Sequence, residues 1–247
     1  MKIKVKTGKT NMDLEALAEK ILLDPTEKFN ELLPHYKNML DTGIVDNVLF
    51  EQLKPSDYGF PKKFHSHIFA MMLREDYTKN YGYTLLSEKM LNTLSEVLKG
   101  KKVLEAGAGS GFLSYNLQKL GIDVTPVDFQ KVEDNRYSFS HGYSDIINED
   151  AVKHLHFANK LPQTYDYVIM SWPCLGTDFA NDILNAMNPG QKLIYVGERG
   201  GGCTANDKFF ESLEEQASID QSMTEKLQKD SLSFSGLHDD WYVYDVK

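Results

Sequence analysis

Apolar residues recur at two different spacings along this chain, and the change falls near residue 100. Before it the spacing is helical: Leu14, Leu17, Ile21 and Leu22 keep a helical period behind Asn11, a residue type suited to cap a first turn. Further helical patterns cover residues 27–40 and 64–79. A third, 85–98, sets Leu85, Met90, Leu94 and Leu98 on one face and stops at Gly100. Pro25, Pro34, Pro55 and Pro61 punctuate this half and predict several short helices instead of one long bundle. From residue 101 the pattern becomes short apolar runs, which predict strands at 102–106, 123–127, 144–147, 166–170, 192–197 and 241–246, with a further one around 231–234. Most runs are separated by enough chain for a crossover helix. That predicts a mainly parallel, doubly wound sheet of the α/β class with helices on both faces. The last two runs are close enough for a hairpin at the C-terminal edge. The expected organisation is a helical N-terminal cap over residues 1–100 and an α/β domain over 101–247.

Composition narrows the function classes. The 247 residues are 41% hydrophobic and 26% charged, ordinary for a chain able to bury a sizeable core. A formal net charge of −9 disfavours a hold on free nucleic acid, since counter-charge would have to come from a local patch. Lys62, Lys63, His65 and His67 form the only dense basic cluster, which reads first as a solvated face; no further ligands accompany it, so no metal is expected. Cys174 and Cys203 are too few for a disulfide framework and lack zinc-site spacing, which fits a reducing, cytoplasmic setting. The N-terminal residues are basic with no apolar core behind them, unlike a signal peptide, and no run approaches the ~18 apolar residues of a membrane span.

The stretch "VLEAGAGSG" places Gly107, Gly109 and Gly111 in the turn that leaves the first predicted strand of the domain and opens a helix carrying Phe112, Leu113 and Leu117. Glycine there permits positive φ and close approach of a ligand to the backbone, and helix N-terminal amides favour an electronegative group. Asp128 ends the next predicted strand, 21 residues beyond Gly107, where a carboxylate can accept hydrogen bonds from both ribose hydroxyls. Both features point to a nucleoside. A dinucleotide fingerprint would want Gly or Ala where this chain has Phe112, and no Gly-Lys-Ser/Thr of a phosphate loop is present, so neither NAD nor ATP is expected. Glu105 would repel a pyrophosphate but suits a ligand with an ammonium or sulfonium charge.

With "EAGAGSG" and the downstream Asp128, the chain resembles class I S-adenosylmethionine-dependent methyltransferases over roughly residues 83–247. That resemblance implies a Rossmann-like, seven-stranded, mainly parallel sheet with an antiparallel C-terminal edge strand, and S-adenosylmethionine as cofactor. It implies that Glu105 and the loop backbone meet the methionine part, Asp128 the ribose, and Asp150 and Ala151 the adenine edge, although Asp150 reads equally as a helix N-cap. Ser171 in "SWPC" falls in a loop that borders cofactor and acceptor in the family. This loop keeps the serine and one proline of amino-directed nucleic-acid methyltransferases but departs at two of four places.

Trp172 is read as stacking on a ligand or packing under the sheet, and Tyr83 as an aromatic folded over the cofactor or a cap-core residue. Glu198, ahead of Gly200–Gly202, is the leading candidate for a substrate-facing acid or base; a solvated strand-end glutamate is the alternative. The combination of Trp172-Pro173, Gly197-Glu198, the Gly201-Gly202-Cys203-Thr204 run and the C-terminal tail also resembles a little-characterised methyltransferase-like subgroup. The expectation is a methyltransferase acting on a small-molecule or protein acceptor, with Ser171, Trp172 and Glu198 on the catalytic side. A non-catalytic S-adenosylmethionine sensor or scaffold, or a nucleic-acid methyltransferase using the 62–67 patch, stand as alternatives. Oligomeric state has no signature in the sequence.

Overall fold

A computed structural model describes residues 27–53, 67–129, 142–161, 164–200, 202–234 and 236–247. The helix expected behind Asn11 and the Lys62–His65 cluster lie outside the described residues. The cap half consists of helix α1 (Glu27–Thr42), strand β1 (Ile44–Val45), α2 (Asn47–Leu53), α3 (His67–Asn80), strand β2 (Leu86–Ser87) and α4 (Glu88–Leu98). Pro34 lies inside α1, within the helix predicted over 27–40. The ring is exposed to solvent, while Leu32, Tyr36, Met39 and Leu40 bury the opposite face and hold the helix through the proline. Two short parallel strands, β1 and β2, pair within the cap. Neither is legible as a strand in the sequence, since two residues carry no period. Ser87 caps α4 by accepting the Met90 N–H at 3.0 Å.

The second half follows as β3 (Lys102–Ala106), α5 (Phe112–Lys119), β4 (Asp123–Asp128), β5 (Ile147–Asn148), α6 (Ala151–Ala158), β6 (Tyr167–Ser171), α7 (Phe179–Ala186), β7 (Lys192–Gly197), α8 (Asp207–Gln216), β8 (Ala217–Ile219), α9 (Gln221–Gln228) and β9 (Asp240–Val246). These strands form one seven-stranded sheet in the order β5-β4-β3-β6-β7-β9-β8. The first five run parallel, and β9 is antiparallel to both neighbours. Thus the antiparallel strand lies one position in from the edge.

The edge strand is the three-residue β8, not the segment 231–234, which forms no strand. Ser218 and Ile219 are exposed, so β8 has no apolar run to betray it, whereas Leu232 and Phe234 are buried as loop residues against the cap, with the Phe234 ring 5.5 Å from Tyr77. Helix α9 connects β8 to β9, in place of the expected hairpin.

Alternate residues of the buried strands face opposite ways, as strand geometry requires. Val103, Ile169, Ile194, Val196 and Val243 share one apolar cluster with α4, α5, α9 and cap residues including Tyr36, Leu49 and Tyr77. Leu104, Val168, Met170, Leu193 and Tyr195 pack on the other face with Leu155 of α6, Ile183 of α7, and Phe209 and Leu213 of α8. The cap helices therefore share a core with one face of the sheet. Among the described residues, no helix is long and apolar enough to cross a membrane.

Candidate functional site

Strand order reverses at β3: the chain builds outward through β4 and β5, then returns to place β6 on the other side. Open α/β sheets bind ligands in the crevice at the carboxyl ends of the strands at such a point. Here it is bordered by the 107–111 turn after β3, Asp128 ending β4, and the loop after Ser171.

Gly107, Gly109 and Gly111 all have positive φ, at 74°, 56° and 71°. The turn is held by Gly107 N–H and Ala108 N–H donating to Val127 O at 2.9 and 3.2 Å, and by Gly111 N–H donating to Ala108 O at 2.8 Å. A Cβ on Gly111 would stand 2.3 Å from Ser144 Oγ, and one on Gly107 would stand 3.3 Å from the Phe179 ring. Those two glycines are thus explained by backbone conformation and internal packing before any ligand is considered. At Gly109 the neighbour is chemical: its N–H donates to Asp128 Oδ2 at 2.6 Å. Burial raises the Asp128 carboxyl above the usual range, with the Gly109 hydrogen bond opposing.

Glu105 is 3% exposed and turns its carboxylate toward α5, where Ser114 donates from both its N–H, at 3.1 Å, and its hydroxyl. Burial pushes this carboxyl up to about 7, and the charge of Asp128 adds to the rise. Two neighbouring acids around one glycine turn form an acceptor set that fits a ligand with ribose hydroxyls and a positive charge, and opposes a phosphate.

Asp150 is the N-cap of α6; its Oδ1 accepts from Val152 N–H at 2.9 Å and Lys153 N–H at 3.2 Å. Ala151 is buried against the second face of the sheet. The structure therefore gives each residue a local role, one capping its helix and the other packing beneath it.

Across the crevice, the segment after α3 is stitched to the strand ends. The Ser110 hydroxyl donates to Tyr81 O, and the Thr84 and Ser171 hydroxyls bond each other. Tyr81 packs on Phe112, centroids 4.8 Å apart, and donates its hydroxyl to Leu40 O at 2.7 Å, so it belongs to the core. Tyr83 instead stacks on Trp172, with centroids 5.4 Å apart and planes 18° apart. Trp172 has φ 52°, an uncommon left-handed conformation for a bulky residue. It is fixed by its N–H donating to Val196 O at 2.8 Å and its indole Nε1–H donating to Asp239 Oδ2 at 3.2 Å.

The Arg74 guanidinium lies 5.5 Å from the Trp172 ring centroid and 5.9 Å from that of Tyr83. Its Nε is buried with no hydrogen-bond partner, and so is Asp239 Oδ1. Asp239 is 8% exposed; burial pushes its carboxyl up to about 6.

Glu198 is buried, not solvated. Its Oε2 accepts from Cys203 N–H at 2.8 Å and Cys203 Sγ at 3.0 Å, and its Oε1 accepts from His238 N–H at 2.9 Å. The Cys203 thiol and the His238 amide hold the carboxyl below the usual range, and Glu198 in turn raises the Cys203 thiol. A Cβ on Gly202 would stand 2.2 Å from Glu198 Cβ, which explains that glycine as room for the buried glutamate. The structure thus brings Tyr83, Trp172 and Glu198 to the same end of the sheet and adds Arg74 and Asp239. Neither addition is identifiable from the sequence: Arg74 sits in "LREDY", indistinguishable from a solvated helix face, and only the acid pair before the last strand hints at Asp239. Among the described residues no group of His, Cys, Asp and Glu is arranged to hold a metal.

Five parallel strands with the sixth and seventh closing the sheet through an antiparallel pair, a glycine turn after the first of them and an acid ending the second, define a Rossmann-like α/β fold. No family model matches the chain. The mitochondrial ubiquinone biosynthesis O-methyltransferase of Schizosaccharomyces pombe is 25% identical over 123 residues, 44% of this chain and 44% of that protein. The chain therefore matches less than half the length of this curated relative.

Among solved structures, the magnesium protoporphyrin IX methyltransferase of Synechocystis, with bound SAM, is 14% identical with a TM-score of 0.41, covering 64% of this chain and 76% of that one. A TehB-like SAM-dependent methyltransferase of Corynebacterium glutamicum is 17% identical with a TM-score of 0.42, covering 64% and 88%.

Proposed function

We propose that the protein is an S-adenosylmethionine-dependent methyltransferase whose acceptor binds between α3, the segment after it, and the carboxyl ends of β6 and β7. The observation that carries this reading is the contact between Asp128 and the Gly109 N–H, a carboxylate at the end of β4 meeting the glycine turn at the point where strand order reverses. Asp128 would hold the ribose, and the turn and Glu105 would face the methionine part. When bound, the cofactor supplies a methyl group already activated on a sulfonium, so no metal is needed.

The chain's own task is alignment, exclusion of water and acceptance of a proton. The Thr84–Ser171 and Ser110–Tyr81 hydrogen bonds position the cap segment over the crevice. Trp172 and Tyr83 supply an apolar wall. Glu198, with both oxygens engaged, is a poorer proton acceptor than Asp239, whose Oδ1 is unpartnered. The relative's name specifies oxygen as the methylated atom, and a hydroxyl acceptor is one that would need such a base.

Calorimetric titration with S-adenosylmethionine tests the reading, and absence of binding at millimolar ligand would remove it. Asp128→Ala is expected to weaken binding by about 1.5–3 kcal/mol, the range for hydrogen bonds to a charged group. Unchanged affinity would deny Asp128 the ribose.

A further inference from the structure

We propose that Arg74 is the anion-binding residue of the acceptor pocket, and that the acceptor is a small molecule carrying a carboxylate. The proposal rests on the acceptor side assigned above. Arg74 is a cation in a chain of formal net charge −9, and it forms no ion pair and no hydrogen bond among the described residues. Its Nε is buried without a partner, a donor whose desolvation nothing in the protein offsets. What holds the guanidinium is the pair of aromatic faces at 5.5 and 5.9 Å. A cation on a ring face keeps its N–H donors unpaired, and with Nε buried the terminal amino groups, which lie in the plane of the guanidinium, present the fork a carboxylate matches.

Neither Glu198 nor Asp239 forms an ion pair or a hydrogen bond with it. Glu198 is engaged by Cys203 and His238, and Asp239 Oδ2 by Trp172. Arg74, Tyr83 and Trp172 are each partly open to solvent, so a ligand can reach them. With the carboxyl groups of Glu198 and Asp239 on the same side of the crevice, a singly charged carboxylate meets less repulsion than a phosphate dianion. The indole and phenol offer a flat apolar surface for the body of the ligand.

Arg74→Met keeps the apolar stem and removes the charge; Arg74→Lys keeps the charge and loses the fork. Benzoate, its neutral isostere benzamide and phenyl phosphate serve as probes, read through the emission of Trp172. The other tryptophan, Trp241, is 1% exposed and sits in the core. Benzoate is expected to bind the native protein more tightly than benzamide or phenyl phosphate. Arg74→Met should raise the benzoate dissociation constant about tenfold or more, and Arg74→Lys by less, with benzamide binding unchanged. S-adenosylhomocysteine, titrated separately by calorimetry, should bind both variants as it binds the native chain.

If benzoate and benzamide are not distinguished, or Arg74→Met binds benzoate normally, Arg74 is a packing residue and the proposal falls. Tighter binding of phenyl phosphate overturns the carboxylate. A parallel loss of S-adenosylhomocysteine would reassign Arg74 to the cofactor. Should Arg74→Met fail to fold, Arg74→Lys decides alone: an unchanged benzoate constant rejects the fork. If S-adenosylhomocysteine never binds while benzoate discrimination persists, the methyltransferase reading fails and the anion site stands.

Discussion

The two sides of the crevice are built in opposite ways. On the β3–β4 side, one continuous stretch from Glu105 to Asp128 supplies everything, and its side chains answer each other: Ser114 serves Glu105, and Gly109 serves Asp128. On the β6–β7 side, the residues come from four distant segments around 74–84, 171–174, 198–204 and 238–239, and two of their polar atoms, Arg74 Nε and Asp239 Oδ1, are buried unpartnered. A buried donor or acceptor without a partner costs roughly 1–3 kcal/mol. A site tolerates that where a ligand completes it. The difference teaches that the first side is fixed by its own backbone, whereas the second is assembled by the fold and left open in its chemistry.

The largest test of this contrast is a pair of glycine substitutions. Gly111→Ala places a Cβ 2.3 Å from Ser144 Oγ and 3.1 Å from Ile146, at φ +71°. The left-handed conformation costs roughly 1–2 kcal/mol and overpacking roughly 1–3 kcal/mol, giving a loss of about 3 kcal/mol. Gly200, after β7, has φ +63° and nothing within 4 Å of an added methyl group, so Gly200→Ala should cost only the conformational part, about 1 kcal/mol. Urea denaturation measures both. Equal losses would mean that the glycine turn is no more tightly specified than the loop after β7.

A somewhat smaller effect separates the sides by pH. Asp239 is held up to about 6 by burial, against 3.8 for the free group. Below pH 3.8 both folded and unfolded chains keep the proton. As pH rises from there to 6, the unfolded chain ionises first, so stability falls, and above 6 the loss is complete. Its size is about 2–3 kcal/mol, since each tenfold difference in proton affinity between the folded and unfolded chain is worth about 1.4 kcal/mol. Asp239→Asn carries no such penalty and can still accept from the Trp172 indole. At pH 7.5 it should therefore be more stable than the native chain, with the gap closing below pH 4, while methyl transfer is lost. Parallel stability curves for the two proteins would show that Asp239 is not buried as a cost borne for function.

The same contrast governs what the sequence discloses. The glycine turn, Glu105 and Asp128 are legible because backbone conformation and spacing within one β-α-β stretch determine them. Long apolar runs such as 102–106 and 192–197 announce their strands. β8 does not, because its pairing with β9 is supplied by the sheet and not by its own three residues. Leu232 and Phe234 mislead for the complementary reason, being apolar to fill the cap core as loop residues. The helix predicted over 27–40 runs through Pro34 because its buried face holds it. Arg74 and Asp239 are opaque because their meaning lies in which neighbours they lack, a property that exists only once Trp172 has been brought between them.

The smallest expected effect concerns the well-satisfied side. Burial keeps the Glu105 carboxyl at about 7 against 4.5 for the free group, with Ser114 and the acid of Asp128 as its neighbours. A positively charged ligand nearby favours the ionised form, so binding should release a proton and become tighter as pH rises through 7. If only the ionised form binds the cation well, the ionised fraction grows about tenfold between pH 6 and 8, which sets about 1.4 kcal/mol as the upper bound. S-adenosylhomocysteine, which lacks the sulfonium charge, should show a flatter profile over the same range. Glu105→Gln should flatten the profile for S-adenosylmethionine too, separating Glu105 from Asp128, whose carboxyl is also raised by burial. Calorimetry in two buffers of different ionisation heat counts the released proton directly. Identical profiles for the two ligands would place the sulfonium away from Glu105, leaving that acid to the ammonium both ligands carry or to anchoring α5 through Ser114.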